Sequence, residues 1–238
     1  MSRLTRKEMK RDEVLDWMGR TVEYIRAHGR TLLLVAIGAV VVAAAVAAAI
    51  AYRGKQTERA NALLAEALAV YSAPIDAVNP DPDDAENPSF GTEEGRKLRA
   101  EEKFGEIHVQ FQGRSAGAIA AAYLGDLAAE SGDSERAETL WREALEALAD
   151  TMLAGRLEMN LINLDRGRGR LEPAVARLRE LLNSPRSPLP GDVLLYELGA
   201  TLEDLDRPSE AASAFERLIE EYESSVYAGD ARRRLEDL

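Results

Sequence analysis

The carboxylates that could bind a metal ion are concentrated in one acidic, proline-rich segment, residues 73–92. Asp81, Asp83, Asp84 and Glu86 offer the oxygen ligands that Ca²⁺ prefers. The segment lacks the glycine and the distal glutamate of an EF-hand loop. Its composition is typical of a solvated linker that buries no core. We therefore predict a mobile surface loop without a metal site. Tight binding of a divalent ion there would instead favour a small enzyme or a metal-dependent sensor.

A second candidate for chemistry is the basic, glycine-containing stretch from Asp165 to Arg170. Phosphate binding there would need free backbone amides at a helix N-terminus, and the adjacent Pro173 does not favour this, so we predict a solvated turn. His108 is expected at the boundary of an amphipathic helix. The chain has no Cys and only two His, and no nucleophile–base pair is recognisable. These features predict a protein with no catalytic residues, cofactor, metal or small-molecule substrate.

The charge of the chain is divided unevenly. Residues 1–30 carry eight Lys or Arg and five Asp or Glu, whereas residues 53–238 carry 22 and 37. An acidic body disfavours nucleic acid as a partner, because phosphates are bound through Lys and Arg. It disfavours a surface of anionic lipid for the same reason. The body is large enough to bury a core as one domain.

Residues 31–52 form a run of 22 residues without a charge. A helix of that length spans roughly 33 Å, enough for a hydrocarbon core of about 30 Å. We predict a single transmembrane helix; the alternative is a signal peptide cleaved near the alanine-rich end, although the run is longer than such peptides use. The excess of Lys and Arg in the tail predicts a cytoplasmic N-terminus in the bacterial inner membrane, with the body in the periplasm.

Two further patterns concern the membrane. Ala39, Ala43, Ala47 and Ala51 recur every four residues, a spacing that lets two membrane helices approach closely. The alternative is a simple alanine bias, because the run is alanine-rich on every face. In the tail, residues 1–30, apolar side chains recur at helical spacing. This predicts a basic amphipathic helix that lies on the inner surface of the membrane or docks on another protein.

The body repeats with a period of 37 residues, which we call the stride. Residues that share a register are Leu124, Leu161 and Leu198; Ala100, Ala137, Ala174 and Ala211; Phe104, Trp141, Leu178 and Phe215; Ile107, Ala144, Leu181 and Leu218; and, at turns, Gly132, Gly169 and Asp206. Each unit is predicted to be a helix, a short turn and a second helix.

This pattern resembles the tetratricopeptide repeat. The motif has Leu-Gly in its first helix, Gly at the turn, then Ala, an aromatic residue and Ala in its second helix. It is matched by Leu124, Gly125, Gly132, Ala137, Trp141 and Ala144, and again by Leu198, Gly199, Ala211 and Phe215. The usual repeat is 34 residues long, so we expect the extra residues between repeats. The third unit departs most, with Ile162 in place of Gly and Leu178 in place of the aromatic residue.

The resemblance implies an all-α fold. We predict that residues 53–238 form a tetratricopeptide-like α-solenoid of about four helical hairpins plus a C-terminal capping helix, following the single N-terminal transmembrane helix. The first hairpin would pair residues 55–71 with 92–111 and would be interrupted by the acidic loop, 73–92. The capping helix would lie within residues 222–238.

The resemblance also implies where a partner would bind. In this family the first helices of the hairpins line a groove that holds peptides. The corresponding positions here are Ile119, Ala122, Asp126, Arg156, Met159, Asn163, Arg166, Val193, Tyr196, Ala200 and Glu203. Some of these side chains could instead make ordinary contacts between repeats.

The architecture as a whole resembles the bacterial ancillary translocon-subunit family of the YfgM type. That resemblance implies a non-catalytic interaction module whose partners are Sec translocon components, an envelope chaperone and exported polypeptides. The alternatives are a general scaffold for cell-envelope assembly and a cleaved, soluble periplasmic tetratricopeptide protein.

Overall fold

The computed structural model describes the backbone of residues 6–76, 78–84 and 87–238, and side chains from Arg30 onward except at positions 32, 36, 77, 85 and 86. The amphipathic face predicted for the tail therefore lies outside the described residues. The chain divides into two compact units, Met1–Glu58 and Arg59–Leu238.

Helices account for almost all of the regular structure in the described ranges. They are α1 (Arg6–Tyr71), α2 (Glu93–Gln110), α3 (Ser115–Glu130), α4 (Ser134–Leu148), α5 (Leu153–Gly167), α6 (Leu171–Asn183), α7 (Gly191–Asp204), α8 (Pro208–Glu221) and α9 (Ala228–Asp237). The one other paired element there is an isolated β-bridge between Ile75 and Phe90. The all-α prediction is confirmed for these residues.

The helices pack as successive antiparallel hairpins. The end of α1 shares a core cluster with α2 and α3, and α3 with α4 and α7 with α8 make the most extensive helix contacts. The pair α5 and α6 completes the set, and α9 packs on α8. The predicted four hairpins and capping helix are therefore confirmed. We call the earlier helix of each hairpin its first helix and the later one its second helix.

Four of the five registers predicted from the stride lie in the core. Their members at the hairpin crossings are fully buried: Ala100, Phe104, Ala137, Ala144, Ala174, Leu178, Ala211 and Phe215. Small residues are needed there because neighbouring helices approach closely. A Cβ atom built on Gly125 would lie 2.5 Å from Trp141 Cδ1, and one on Gly199 would lie 2.5 Å from Phe215 Cε1. In the third hairpin, α5 and α6, these positions hold Ile162 and Leu178. The side chain larger than glycine is thus matched by one smaller than an aromatic ring.

The turns inside the last three hairpins share one backbone conformation. Gly132, Gly169 and Asp206 are one stride apart and have φ of 84°, 71° and 57°. This left-handed region is unstrained for glycine and unfavourable for residues with a Cβ. Asp206 therefore occupies a position that the other two hairpins give to glycine.

Replacing Asp206 by Gly is expected to stabilise the body by about 0.5–1 kcal/mol, because relief of left-handed strain exceeds the entropy that a new glycine adds to the unfolded chain. Denaturant unfolding of the full chain in detergent measures the effect. Gly169→Ala is the matched control and should be destabilising by about 1 kcal/mol. If both substitutions changed the free energy of unfolding in the same direction, this account would be contradicted.

The acidic loop differs from its prediction at both ends. Ala73 and Phe90 are buried in the core cluster that contains Phe104 and Ile107. The Asp76 N–H donates to the Phe90 carbonyl at 2.8 Å, and the Phe90 N–H donates to the Pro74 carbonyl at 3.1 Å. The prediction that this segment buries no core is therefore wrong for these two residues. The average composition of the segment did not predict the burial of these two residues. The loop is anchored by one aromatic ring and two backbone hydrogen bonds, which depend on individual residues.

Candidate functional site

The predicted groove residues lie on the first helices of the last three hairpins. Ile119 and Asp126 are on α3; Arg156, Met159, Asn163 and Arg166 are on α5; Tyr196 and Glu203 are on α7. Side chains bridge α3 to α5, α5 to α7 and α7 to α9. We call the surface formed by these bridging residues and their neighbours the first-helix face.

Asp126 is the centre of the bridge between α3 and α5. Its carboxylate accepts hydrogen bonds from Trp141 Nε1 at 3.0 Å, from Asn160 Nδ2 at 3.1 Å and from an Arg156 guanidinium nitrogen at 2.5 Å. Burial raises the pKa of Asp126 above its usual range, and the Arg156 charge opposes that rise. One carboxylate thus joins both helices of the second hairpin to the first helix of the third.

An aromatic cluster extends this bridge to the first hairpin. The Arg156 guanidinium lies 5.1 Å from the centre of the Tyr123 ring. Tyr123 stacks on Phe104 at 4.9 Å and meets the Tyr71 ring edge-on at 5.2 Å. Burial raises the pKa of Tyr71 above its usual range. Arg156 retains two buried nitrogens, Nε and one terminal nitrogen, that have no acceptor within the described part of the chain.

The other first helices are joined by similar pairs. Arg166 donates to Glu197 at 2.8 Å and to Asp204 at 2.9 Å, which ties α5 to α7. The Tyr196 hydroxyl donates to Asp230 at 2.6 Å. That hydrogen bond is the main reason why the pKa of Tyr196 is raised and that of Asp230 is lowered.

Arg234 completes the connection between α7 and α9. Its guanidinium is ion-paired with Glu203 and Asp230. The same group lies 5.5 Å from the centre of the Tyr196 ring. The capping helix is thus held on the first-helix face by charge-assisted hydrogen bonds and a cation–π contact.

Five of the eleven predicted positions therefore link repeats to one another: Asp126, Arg156, Arg166, Tyr196 and Glu203. Of the other six, Ala122 and Ala200 are buried and Val193 is half-buried. Ile119 and Met159 are half-buried against the core clusters, and Asn163 is exposed. Whether any of them contacts a partner stays a prediction. Sequence reasoning missed the acceptors and donors opposite them, namely Asn160, Glu197, Asp204, Asp230 and Arg234. Opposite charges at separations of about one stride were the available signal, for example the 38 residues between Arg166 and Asp204.

The basic turn differs from the predicted solvated turn. Arg168 and Arg170 both donate to Glu138 Oε2, at 2.9 and 2.7 Å, and Arg142 reaches the other oxygen of that carboxylate at 2.9 Å. Arg170 also pairs with the buried Asp165 at 2.7 Å. These guanidinium groups therefore already form ion pairs with acidic side chains of this chain. The physical reason is that the turn packs beside α4. The sequence alone does not show that Glu138 of α4 lies next to this turn.

The Glu138 cluster predicts a dependence of stability on pH. Hydrogen bonds, first of all from Arg170, hold the pKa of Glu138 below its usual range. Its contribution is therefore present above the ordinary glutamate pKa and is lost as pH falls through the lowered value. Glu138→Gln should reduce the free energy of unfolding by about 1 kcal/mol at neutral pH. The difference from wild type should shrink in acid; a difference that grew on acidification would contradict the assignment.

The remaining chemical candidates make ordinary structural contacts. His108 Nδ1 lies 3.3 Å from the Gly117 carbonyl, and its Nε2 lies 3.7 Å from Glu143. Among the described residues, no group of three or more His, Cys, Asp or Glu side chains could hold a metal. Glu86, one of the four acids considered for calcium, lies outside that set.

Two grooves between second helices are lined by residues that are one stride apart. One, of about 470 Å³, lies between α4 and α6; the other, of about 280 Å³, lies between α6 and α8. Seven of the nine residues that line the first are one stride before residues that line the second. The first has ion-paired Glu158 and Asp165 where the second has Leu195 and Leu202. The geometry therefore repeats while the chemistry of the grooves changes.

The apolar run lies within α1 and is exposed throughout its described side chains. The helix is long and apolar enough from Leu33 onward to cross a membrane, and none of its most apolar window is buried. Leu34, Val40 and Ile50 are each more than 60% exposed. Ala39, Ala43, Ala47 and Ala51 are exposed as well, and their packing against another membrane helix stays a prediction.

The paired-helix architecture can be compared with known proteins. A model of the tetratricopeptide repeat family matches residues 193–225, which include α7 and α8. The crystal structure of a tetratricopeptide repeat protein from Parabacteroides merdae ATCC 43184 is similar, with a TM-score of 0.50 and 21% identity over 60% of this chain. This chain has the tetratricopeptide repeat fold. It spans about half the length of that structure, 54%.

Other comparisons add little to this result. Tetratricopeptide-like repeats of a kinesin light chain protein from Podosopora anserina are 14% identical, with a TM-score of 0.47 over 60% of this chain and 76% of that one. No curated protein matches the chain. The tetratricopeptide fold, which is typical of protein-binding modules, therefore rests on the family match and the observed hairpins.

Proposed function

We propose that this chain is a membrane-anchored, non-catalytic module that binds proteins and assists the Sec translocon and periplasmic chaperones with exported polypeptides. The observation that carries the proposal is a set of stacked tetratricopeptide hairpins whose first helices are joined by side-chain bridges. An exposed apolar helix stands at the N-terminal end of the chain. This helix is the anchor, residues 31–52, with the tail in the cytoplasm and the acidic body in the periplasm.

The first-helix face suits protein binding because it is organised before a partner arrives. The bridges at Asp126, Arg166 and Glu203 hold successive first helices in fixed register. A surface whose side chains are already ordered loses little conformational entropy when it binds. The exposed Asn163 and the half-buried Met159 lie between these bridges on α5. They supply adaptable polar and apolar contacts for a peptide.

Site-specific crosslinking in native membranes tests the proposal. A photoreactive residue placed at Asn163 of the full chain should crosslink to translocon components, to a chaperone or to exported polypeptides. The matched control is Ser209, which is exposed on the second helix α8. Equal crosslinking from both positions, or crosslinks from Asn163 to proteins of other pathways only, would contradict the proposal.

Two alternatives are separated by the same preparation. A general envelope scaffold would yield crosslinks to assembly enzymes of the envelope and none to the translocon. A cleaved, soluble periplasmic protein would lack the N-terminal segment, which the mass of the mature chain measures directly. A mature mass that included residues 1–52 would support the anchor.

A further inference from the structure

Each second helix from α6 onward presents one side to the second helix of the preceding hairpin. We call this its leading side. In α8 the leading side includes Glu210 and Ala214, which face Arg179 and Leu182 of α6 across a groove. In α6 it includes Pro173 and Arg177, which face Arg142 of α4. These positions are related by the stride, so the same side is covered by a preceding hairpin each time.

The first hairpin has the same leading side, but no hairpin precedes it in the described part of the chain. Arg99 and Lys103 of α2 are two strides before Pro173 and Arg177. They line a smaller groove, of about 100 Å³, together with Glu66, Ala69 and Val70 of α1. The opposite wall is formed by the acidic loop: Pro82, Asp83, Asp84 and Pro88. The loop thus lies where the preceding second helix lies in later hairpins.

The loop is held there by contacts along its length. At its base, Ile75 and Phe90 form the β-bridge, and Arg96 donates to the Ala73 carbonyl at 3.3 Å. Nearer the tip, the Ser89 N–H donates to the Asp81 carbonyl at 2.8 Å. The Asp81 N–H in turn donates to the Ser89 hydroxyl at 2.9 Å. These bonds satisfy backbone groups without a neighbouring helix.

The charges of the loop match the side that it covers. The leading side of α2 carries the cations Arg99 and Lys103, and Asp83 of the loop lines the same groove. Glu66 of α1 accepts from Lys103 at 2.6 Å on the same side. The ends of a solenoid need a polar cover, because an open hairpin otherwise exposes the surface on which the next repeat would stack.

We propose that the described residues of the segment 73–92 form the N-terminal cap of the solenoid. The segment takes the place of a preceding second helix and seals the leading side of α2. It also prevents that side from stacking on a second copy of this chain. This role is independent of which partner binds the first-helix face.

Cysteine labelling tests the cap, since the full chain contains no Cys. Ala69→Cys places a thiol in the groove under the loop, and Ala65→Cys places one at an exposed position of the same helix. In detergent, the thiol at 69 should react at least about tenfold more slowly than the thiol at 65, as expected for a site that needs local opening. Replacing residues 78–88 by a Gly/Ser linker of equal length should remove most of this difference.

A measurement on the unmodified protein keeps the proposal testable if the linker variant folds poorly. In unmodified protein, the cap predicts that amides of α2 exchange as slowly as those of the internal helix α4. Frayed exchange of α2, or equally fast labelling at both cysteines, would overturn the proposal. In the linker variant, self-association dependent on concentration is expected, and it should be absent from wild type. A linker variant with unchanged labelling and an unchanged monomeric state would also overturn the cap.

Discussion

Gly199→Ala is expected to destabilise the fold by about 3 kcal/mol, at the upper end of overpacking effects. The new Cβ would lie 2.5 Å from Phe215 Cε1 and 2.6 Å from its Cζ, which is far inside van der Waals contact. Phe215 is fully buried in the core cluster, so a shift of its ring would displace the side chains that pack around it. Denaturant unfolding of the full chain in detergent, followed by circular dichroism, gives the difference in free energy.

A matched control and a rescue separate this clash from general helix effects. Gly105→Ala in α2 meets no atom within 4 Å, so it should be neutral or stabilising by up to about 1 kcal/mol. The double change Gly199→Ile with Phe215→Leu copies Ile162 and Leu178 of the third hairpin. It should recover at least half of the loss that Gly199→Ile causes alone. If the double variant were as unstable as Gly199→Ile alone, the idea that a larger residue at 199 is offset by a smaller residue at 215 would be contradicted.

Asp126→Ala is expected to reduce the free energy of unfolding by about 2–3 kcal/mol, because three donors would lose the carboxylate that accepts from all of them. Trp141, Asn160 and Arg156 all donate to this carboxylate. Asp126→Asn keeps one acceptor oxygen and should lose about half as much. Glu101→Ala is the control: Glu101 pairs with Arg136 at 2.6 Å in an exposed bridge, which should contribute less than about 0.5 kcal/mol.

The same aspartate should show a pH dependence opposite to that of Glu138. Burial raises the pKa of Asp126 in the folded protein. A raised carboxyl pKa contributes stability at low pH that is lost as pH rises through the raised value. The advantage of wild type over Asp126→Asn should therefore be larger in acid than at neutral pH. If that advantage instead increased on going to neutral pH, Arg156 would dominate over burial.

The stride was readable from the sequence because helix packing constrains residue size at each crossing. Small residues at 100, 137, 174 and 211 and large ones at 104, 141, 178 and 215 recur because neighbouring hairpins repeat one geometry. The turn positions recur because left-handed backbone favours glycine. Even the departure at Ile162 followed this logic, since Leu178 is smaller than the aromatic residues at its register. Local and short-range constraints thus predicted the four hairpins and the capping helix.

The partners of the charged side chains were decided only by the tertiary structure. Arg156 and Asp126 are 30 residues apart, and Glu138 is 30 and 32 residues from its partners Arg168 and Arg170. Many acids in this chain lie at similar separations, so spacing alone could not choose among them. The choice depends on helix rotation and on which rotamers avoid burying an unpaired charge.

The sequence by itself determined the helical hairpins, their stride and the apolar segment, because these follow from periodicity and residue type. The tertiary structure alone decided that five of the predicted groove residues bridge repeats and that the acidic loop lines a groove with α1 and α2. Both outcomes depend on contacts between residues distant in sequence. Such contacts are governed by three-dimensional packing and charge pairing, which no local pattern encodes.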